Sequence, residues 1–127
     1  VFASITAATV TMVALDLLFL GIIARPLYDE ALGPLRASSV NWSAAALFYA
    51  MYMGFVLRFA IMGSTGIAEA AKRGAGMGFF AYATYELTNW AVLTGWKAFI
   101  VPVDIIWGTL LTTAVAATGR WAYERAG

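Results

Sequence analysis

The chain has 127 residues, 62% of them hydrophobic and 12% charged, with a formal net charge of +1 and a mean hydropathy of +0.79. Soluble domains run near half apolar and a quarter charged, so this composition leaves too few polar side chains to cover a water-exposed surface. With no cysteine and no histidine, disulfides, thiolate nucleophiles, iron–sulfur ligation, a histidine general base and histidine-held haem are excluded; the eight Lys and Arg residues are scattered and form no basic stripe for nucleic acid.

The apolar residues fall into four blocks separated by short polar breaks. The first spacing predicts a helix over residues 2–24, stopped at Arg25-Pro26, because proline disfavours helical geometry in the residue before it. It lacks a positively charged start and carries Asp16 in its interior, which favours a retained helix over a signal peptide. A polar connection from Tyr28 to Val40 follows, and Ser39 or Asn41 can cap a second helix over 42–62. Gly63-Ser64-Thr65-Gly66 ends it, Ile67 to Arg73 reads as a short amphipathic lead-in, and a third helix covers 74–93. Thr94-Gly95-Trp96-Lys97 is a tight turn. The fourth helix covers 99–119, with Pro102 in its first turn, where the missing N–H costs little.

Each run is near the ~20 residues that cross a bilayer, and short connections place sequential helices side by side and antiparallel. The expected fold is therefore all-α: a single-domain integral membrane four-helix bundle, up-down-up-down. Arg58, Lys72, Arg73, Arg120 and Arg125 fall on one side. Arg25, Arg36 and Lys97 fall on the other, diluted by Asp29 and Glu30. By the positive-inside rule both termini are expected in the cytoplasm, with Tyr28, Trp42, Trp96 and Trp121 at the interfaces and Arg58 reaching to the cytoplasmic one.

Three acidic residues lie inside these helices: Asp16, Glu86 and Asp104. Although successive helices alternate direction, all three fall roughly 8–12 Å below the same outer surface at 1.5 Å per residue. This suggests one acidic layer. On helix three, Tyr82, Tyr85, Glu86 and Asn89 form a semi-polar stripe; on helix four, Asp104, Trp107, Gly108 and Leu111 share a face. Ionisable side chains at such depth usually face the bundle interior and mark ligand, proton or ion sites. The competing reading is interhelical hydrogen-bond glue, at about 0.6 kcal/mol per bond. Three carboxyls and an amide could also hold a hard cation, but nothing resembles a calcium loop, and no metal or cofactor is expected.

Gly74 and Gly78 form a small-xxx-small pair suited to close helix packing, and no P-loop context surrounds the glycines. The Tyr49 to Met53 cluster reads as packing or lipid contact. The segment Phe80 to Asn89, F-A-Y-A-T-Y-E-L-T-N, is followed by Gly95-Trp96 and by Val103-Asp104-Ile105-Ile106-Trp107-Gly108. Together with Leu15-Asp16 through Phe19-Leu20-Gly21 and Asn41-Trp42, it resembles the bacterial membrane proteins grouped as domain of unknown function 2177. Glu86 stands where that family usually has Asp, and Phe19 where it usually has Trp. The resemblance covers nearly the whole chain, implies the same four-helix fold and marks the same acidic residues, but supplies no activity.

Three functions compete. One is a bacterial inner-membrane protein binding or passing a proton, cation or small ligand at Asp16, Glu86, Asp104, Tyr85, Asn89 and Trp107. Another is an accessory subunit, or a homo-oligomer, packing on a partner through the glycine face. The third is a lipid-modifying enzyme or its partner with Glu86 or Asp104 as general acid/base; no nucleophile or oxyanion donor set is recognisable for it.

Overall fold

A computed structural model describes residues 1–19 and 41–126; the expected end of the first helix at Arg25-Pro26 and the connection after it lie outside them. Four helices make up the described chain: α1 (Phe2–Leu18), α2 (Trp42–Phe55), α3 (Ile67–Val92) and α4 (Ile100–Ala126). α2 opens with the Asn41 side chain accepting from the Ala44 N–H at 3.1 Å. Its last turn widens into a π-helix over Val56–Ile61, where the Met62 N–H reaches back to the Leu57 carbonyl at 2.8 Å.

Two elements are longer than the sequence suggests. The lead-in from Ile67 joins the third helix without a break, because no proline interrupts it and Glu69 pairs with Arg73 one turn on at 2.8 Å. α4 runs past Gly119 to Ala126. There Gly119 serves packing rather than termination: a Cβ at that position would collide with Ile61, beside Ala8.

α4 is the central element, in contact with α1, α3 and the π segment. Thr11 meets Thr118 at 3.0 Å and Phe19 stacks on Trp107, so α1 runs antiparallel to α4. Gly74 faces Thr112 and Ala116, and Gly78 faces Gly108 and Thr112, so α3 also runs antiparallel to α4. The close approach needs glycine: a Cβ on Gly74 would lie 2.5 Å from the Thr112 carbonyl oxygen. Where lipid replaces water, such dispersion contacts hold helices together in place of the hydrophobic effect. The core gathers Ala8, Met12, Val56, Ala60, Ile61, Leu111, Val115 and Ala116.

Two arginines fasten the end of α2. Arg120 Nη1 donates to the carbonyls of Ile61 (3.0 Å) and Ser64 (2.9 Å), and Arg73 Nη1 donates to that of Phe59 (3.0 Å). These are carbonyls at the wide turn and helix end, where intrahelical partners run out. The Trp42–Phe55 half behaves differently: none of its residues is buried, and none of its Cα atoms comes within 8 Å of one in α3 or α4. α2 is therefore pinned at one end and splayed at the other.

Large apolar side chains face outward on every helix, among them Leu17, Met51, Phe80, Trp90 and Leu110. The segments Trp42–Ile61 and Ile100–Ala126 are long and apolar enough to cross a bilayer. α1 is apolar but described for 17 residues. α3 has the length, while Tyr82, Thr84, Tyr85, Glu86, Thr88 and Asn89 make its second half more polar. Exposed apolar surface on this scale is a membrane signature, since soluble monomers seldom show large contiguous apolar patches.

Candidate functional site

The splay of α2 opens a cavity of about 360 Å³ lined by Asp16, Phe48, Tyr49, Ala81, Tyr82, Tyr85, Asp104 and Trp107. All four helices contribute. Asp16, half-buried on α1, accepts from the Tyr49 hydroxyl of α2 at 3.4 Å. Asp104 is only 4% exposed on α4. Tyr82 lies across Gly108, where a Cβ would run into its ring, so the glycine is what allows the tyrosine to lie flat on α4 beside the cavity. Trp107 stacks on Phe19 with ring centroids 4.0 Å apart and planes 7° from parallel. Its indole N–H is buried and has no hydrogen-bond partner among the described residues, although the Asp16 carboxyl is close by.

The third acid stands next to Asp104, behind the cavity lining. Glu86 is fully buried and its Oε1 accepts from the Trp96 indole at 3.0 Å. Trp96, in the turn between α3 and α4, is held inward to 8% exposure by this bond. Its ring also meets Tyr85 edge-on at 6.1 Å. The turn between α3 and α4 is thus tied to α3 through Glu86, with positive φ at Gly95 (83°) making the reversal possible. Glu86 Oε2 has no hydrogen-bond partner among the described residues, and Asp104 is the neighbouring acid. Asn89 sits half-buried beside Tyr85, outside the cavity lining.

The three acids remain neighbours: Asp104 stands next to Asp16 on one side and to Glu86 on the other. Asp16 and Asp104 face a shared space; Glu86 sits against Trp96. Among the described residues no three carboxyls converge on one point as a metal ion would need, and no Lys or Arg lines the cavity. What remains is a set of carboxyl and phenol groups in apolar walls, suited to accept hydrogen bonds from a cationic or donor-rich group. The sequence reading overlooked Tyr49, placed among packing residues, and Ala81. A tyrosine one helical turn from Tyr52, at the depth of Asp16, was the signal available for Tyr49.

The glycine face is also accounted for. Gly74 and Gly78 receive α4 of the same chain rather than standing free for another protein.

Residues 1–121 match the family model described as "Predicted membrane protein (DUF2177)". The chain belongs to this family. No curated protein and no solved structure matches it. In DUF2177 terms, the segment from Phe80 to Asn89 supplies one wall of the cavity and the Glu86–Trp96 tie. The segment from Val103 to Gly108 supplies Asp104, Trp107 and the flat seat for Tyr82.

Proposed function

We propose that this DUF2177 protein is a multi-pass bacterial inner-membrane protein whose four helices cross the bilayer in alternating directions with both termini in the cytoplasm. In this reading, the cavity at Asp16 and Asp104 opens toward the outer leaflet and binds a small protonated amine. One observation carries the binding role: two carboxyls from different helices and three tyrosines line one apolar-walled cavity, with no Lys or Arg among its described lining residues. An ammonium group can donate to both carboxyls at once, and tyrosine and tryptophan rings are favourable neighbours for a cation.

The test is thermal unfolding of the purified protein in detergent with butylamine, butanol or butyrate. Butylamine is expected to raise the midpoint saturably, and Asp16→Asn or Asp104→Asn to reduce that response at least tenfold in apparent affinity. Equal shifts from amine and alcohol, or an undiminished amine response in both variants, would sink the reading. Glu69→Gln serves as the control that retains binding, because Glu69 is engaged by Thr65 and Arg73 outside the cavity lining.

A further inference from the structure

The acidic cavity adjoins a second space. Phe48 and Ala81 line the cavity and also line this larger space of about 650 Å³ between α2 and α3. The walls of this second space are Met51, Tyr52, Phe55 and Phe59 on one side and Met77 and Phe80 on the other. Phe55 and Phe80 are more than half exposed, so the cleft opens sideways, along the apolar outer surface of the bundle. It exists because the Trp42–Phe55 backbone stays away from α3 and α4 while the π segment remains fastened.

We infer that the cleft between α2 and α3 holds the apolar chain of a single-chain ammonium amphiphile, drawn from the bilayer, whose head reaches Asp16 and Asp104. This rests on the amine-binding reading above and names the class of ligand. Charge and shape select the occupant. Among the described residues the head end offers two carboxyls and no cation, so a phosphate-bearing lipid headgroup would meet like charge from these two. At the far end Arg73, the one charged residue among the described liners, is engaged by Glu69 and the Phe59 carbonyl, so a fatty-acid carboxylate entering in reverse would compete with Glu69 for it. From Phe48 to Phe59 the apolar wall runs about 16 Å at 1.5 Å per residue, matching one extended medium-length alkyl chain.

The experiment uses the full chain in phosphatidylcholine nanodiscs and a dodecylamine probe with a diazirine at its chain end. Irradiation is expected to label residues between Met51 and Phe59 and between Met77 and Phe80, with labelling competed by unmodified dodecylamine. The matching alcohol probe should label these sites at least tenfold less, and Asp16→Asn with Asp104→Asn should bring the amine down to the alcohol's level. Gly76→Trp, which lines the second space and not the acidic cavity, should abolish chain labelling while short butylamine still binds.

Labelling scattered over lipid-facing residues such as Val10 and Leu110, or equal for amine and alcohol, overturns the inference. If butylamine binds and dodecylamine gains nothing from its chain, the amphiphile is wrong and the amine site stands. If neither binds, both fail. Absent labelling in a chain that migrates as a dimer would show that a second copy covers the cleft, which also overturns it.

Discussion

Gly78→Ala and Gly76→Ala should move stability in opposite directions, although both glycines lie on α3. A methyl at Gly78 would collide with the Gly108 carbonyl and lie 2.7 Å from Thr112 Oγ1. The carbonyl belongs to a helix backbone, so α3 and α4 must separate for either to give way. Overpacking of this kind costs about 1–3 kcal/mol. Two obstructed directions, one of them backbone, place Gly78 at the upper end, and the roughly 1 kcal/mol gained by replacing a helical glycine with alanine leaves a net loss of about 2 kcal/mol. A methyl at Gly76 meets nothing within 4 Å, so only the propensity gain remains and the variant should be more stable by up to about 1 kcal/mol. Reversible unfolding in mixed micelles, followed by helical circular dichroism, measures both against the parent. Equal effects, or a stabilised Gly78→Ala, would refute the close-packed α3–α4 seam on which the position of Asp104 depends.

Trp96→Phe removes the indole donor and leaves Glu86 Oε1 buried without its 3.0 Å partner; an expected loss of about 1–3 kcal/mol in the same unfolding assay should be reduced by combining it with Glu86→Leu. Arg120→Ala deletes both hydrogen bonds to the Ile61 and Ser64 carbonyls and should destabilise by about 1.5–3 kcal/mol, with faster hydrogen exchange confined to the end of α2; uniform or unchanged exchange would contradict the pinning role. The carboxylate of Glu69, in the first turn of α3 ahead of its apolar stretch, accepts from the Thr65 hydroxyl and N–H and from Arg73. These bonds, led by the Thr65 hydroxyl, lower its pKa from 4.5 to about 2. The stabilisation is therefore fully present above pH 4.5 and disappears as pH falls toward 2. Protection of the Thr65 amide should follow that window, and a Glu69→Gln variant should show no such dependence.

Much of the fold is legible in the sequence because helix boundaries are written in local chemistry. Asn41 caps α2 as its side chain permits, and Gly95 makes the reversal before α4. The long-range features are less legible. Nothing local distinguishes Gly119, inside α4, from a helix stop; the difference is Ile61 packing against it from another element. The π turn at Val56–Ile61 depends on Arg73 and Arg120, residues distant in the chain. Depth alone grouped Asp16, Glu86 and Asp104, since the rise per residue is fixed while the rotation of each helix about its axis is set by packing. That rotation sets Glu86 between Trp96 and Asp104 and leaves Asp16 and Asp104 lining the cavity with Tyr49 and Tyr82. The cavity itself comes from a divergence of α2 that no periodicity encodes.

The chain contains no native cysteine, so a single Ala81→Cys thiol would report on the electrostatics of the cavity without background. Its modification by an ammonium-bearing methanethiosulfonate should outpace modification by the sulfonate-bearing analogue by roughly tenfold, an order set by about 1.4 kcal/mol of attraction. Adding Asp16→Asn and Asp104→Asn should bring the two rates together. Equal rates in the parent, or a preference that survives removal of both carboxyls, would contradict a cation-selective site at Asp16 and Asp104.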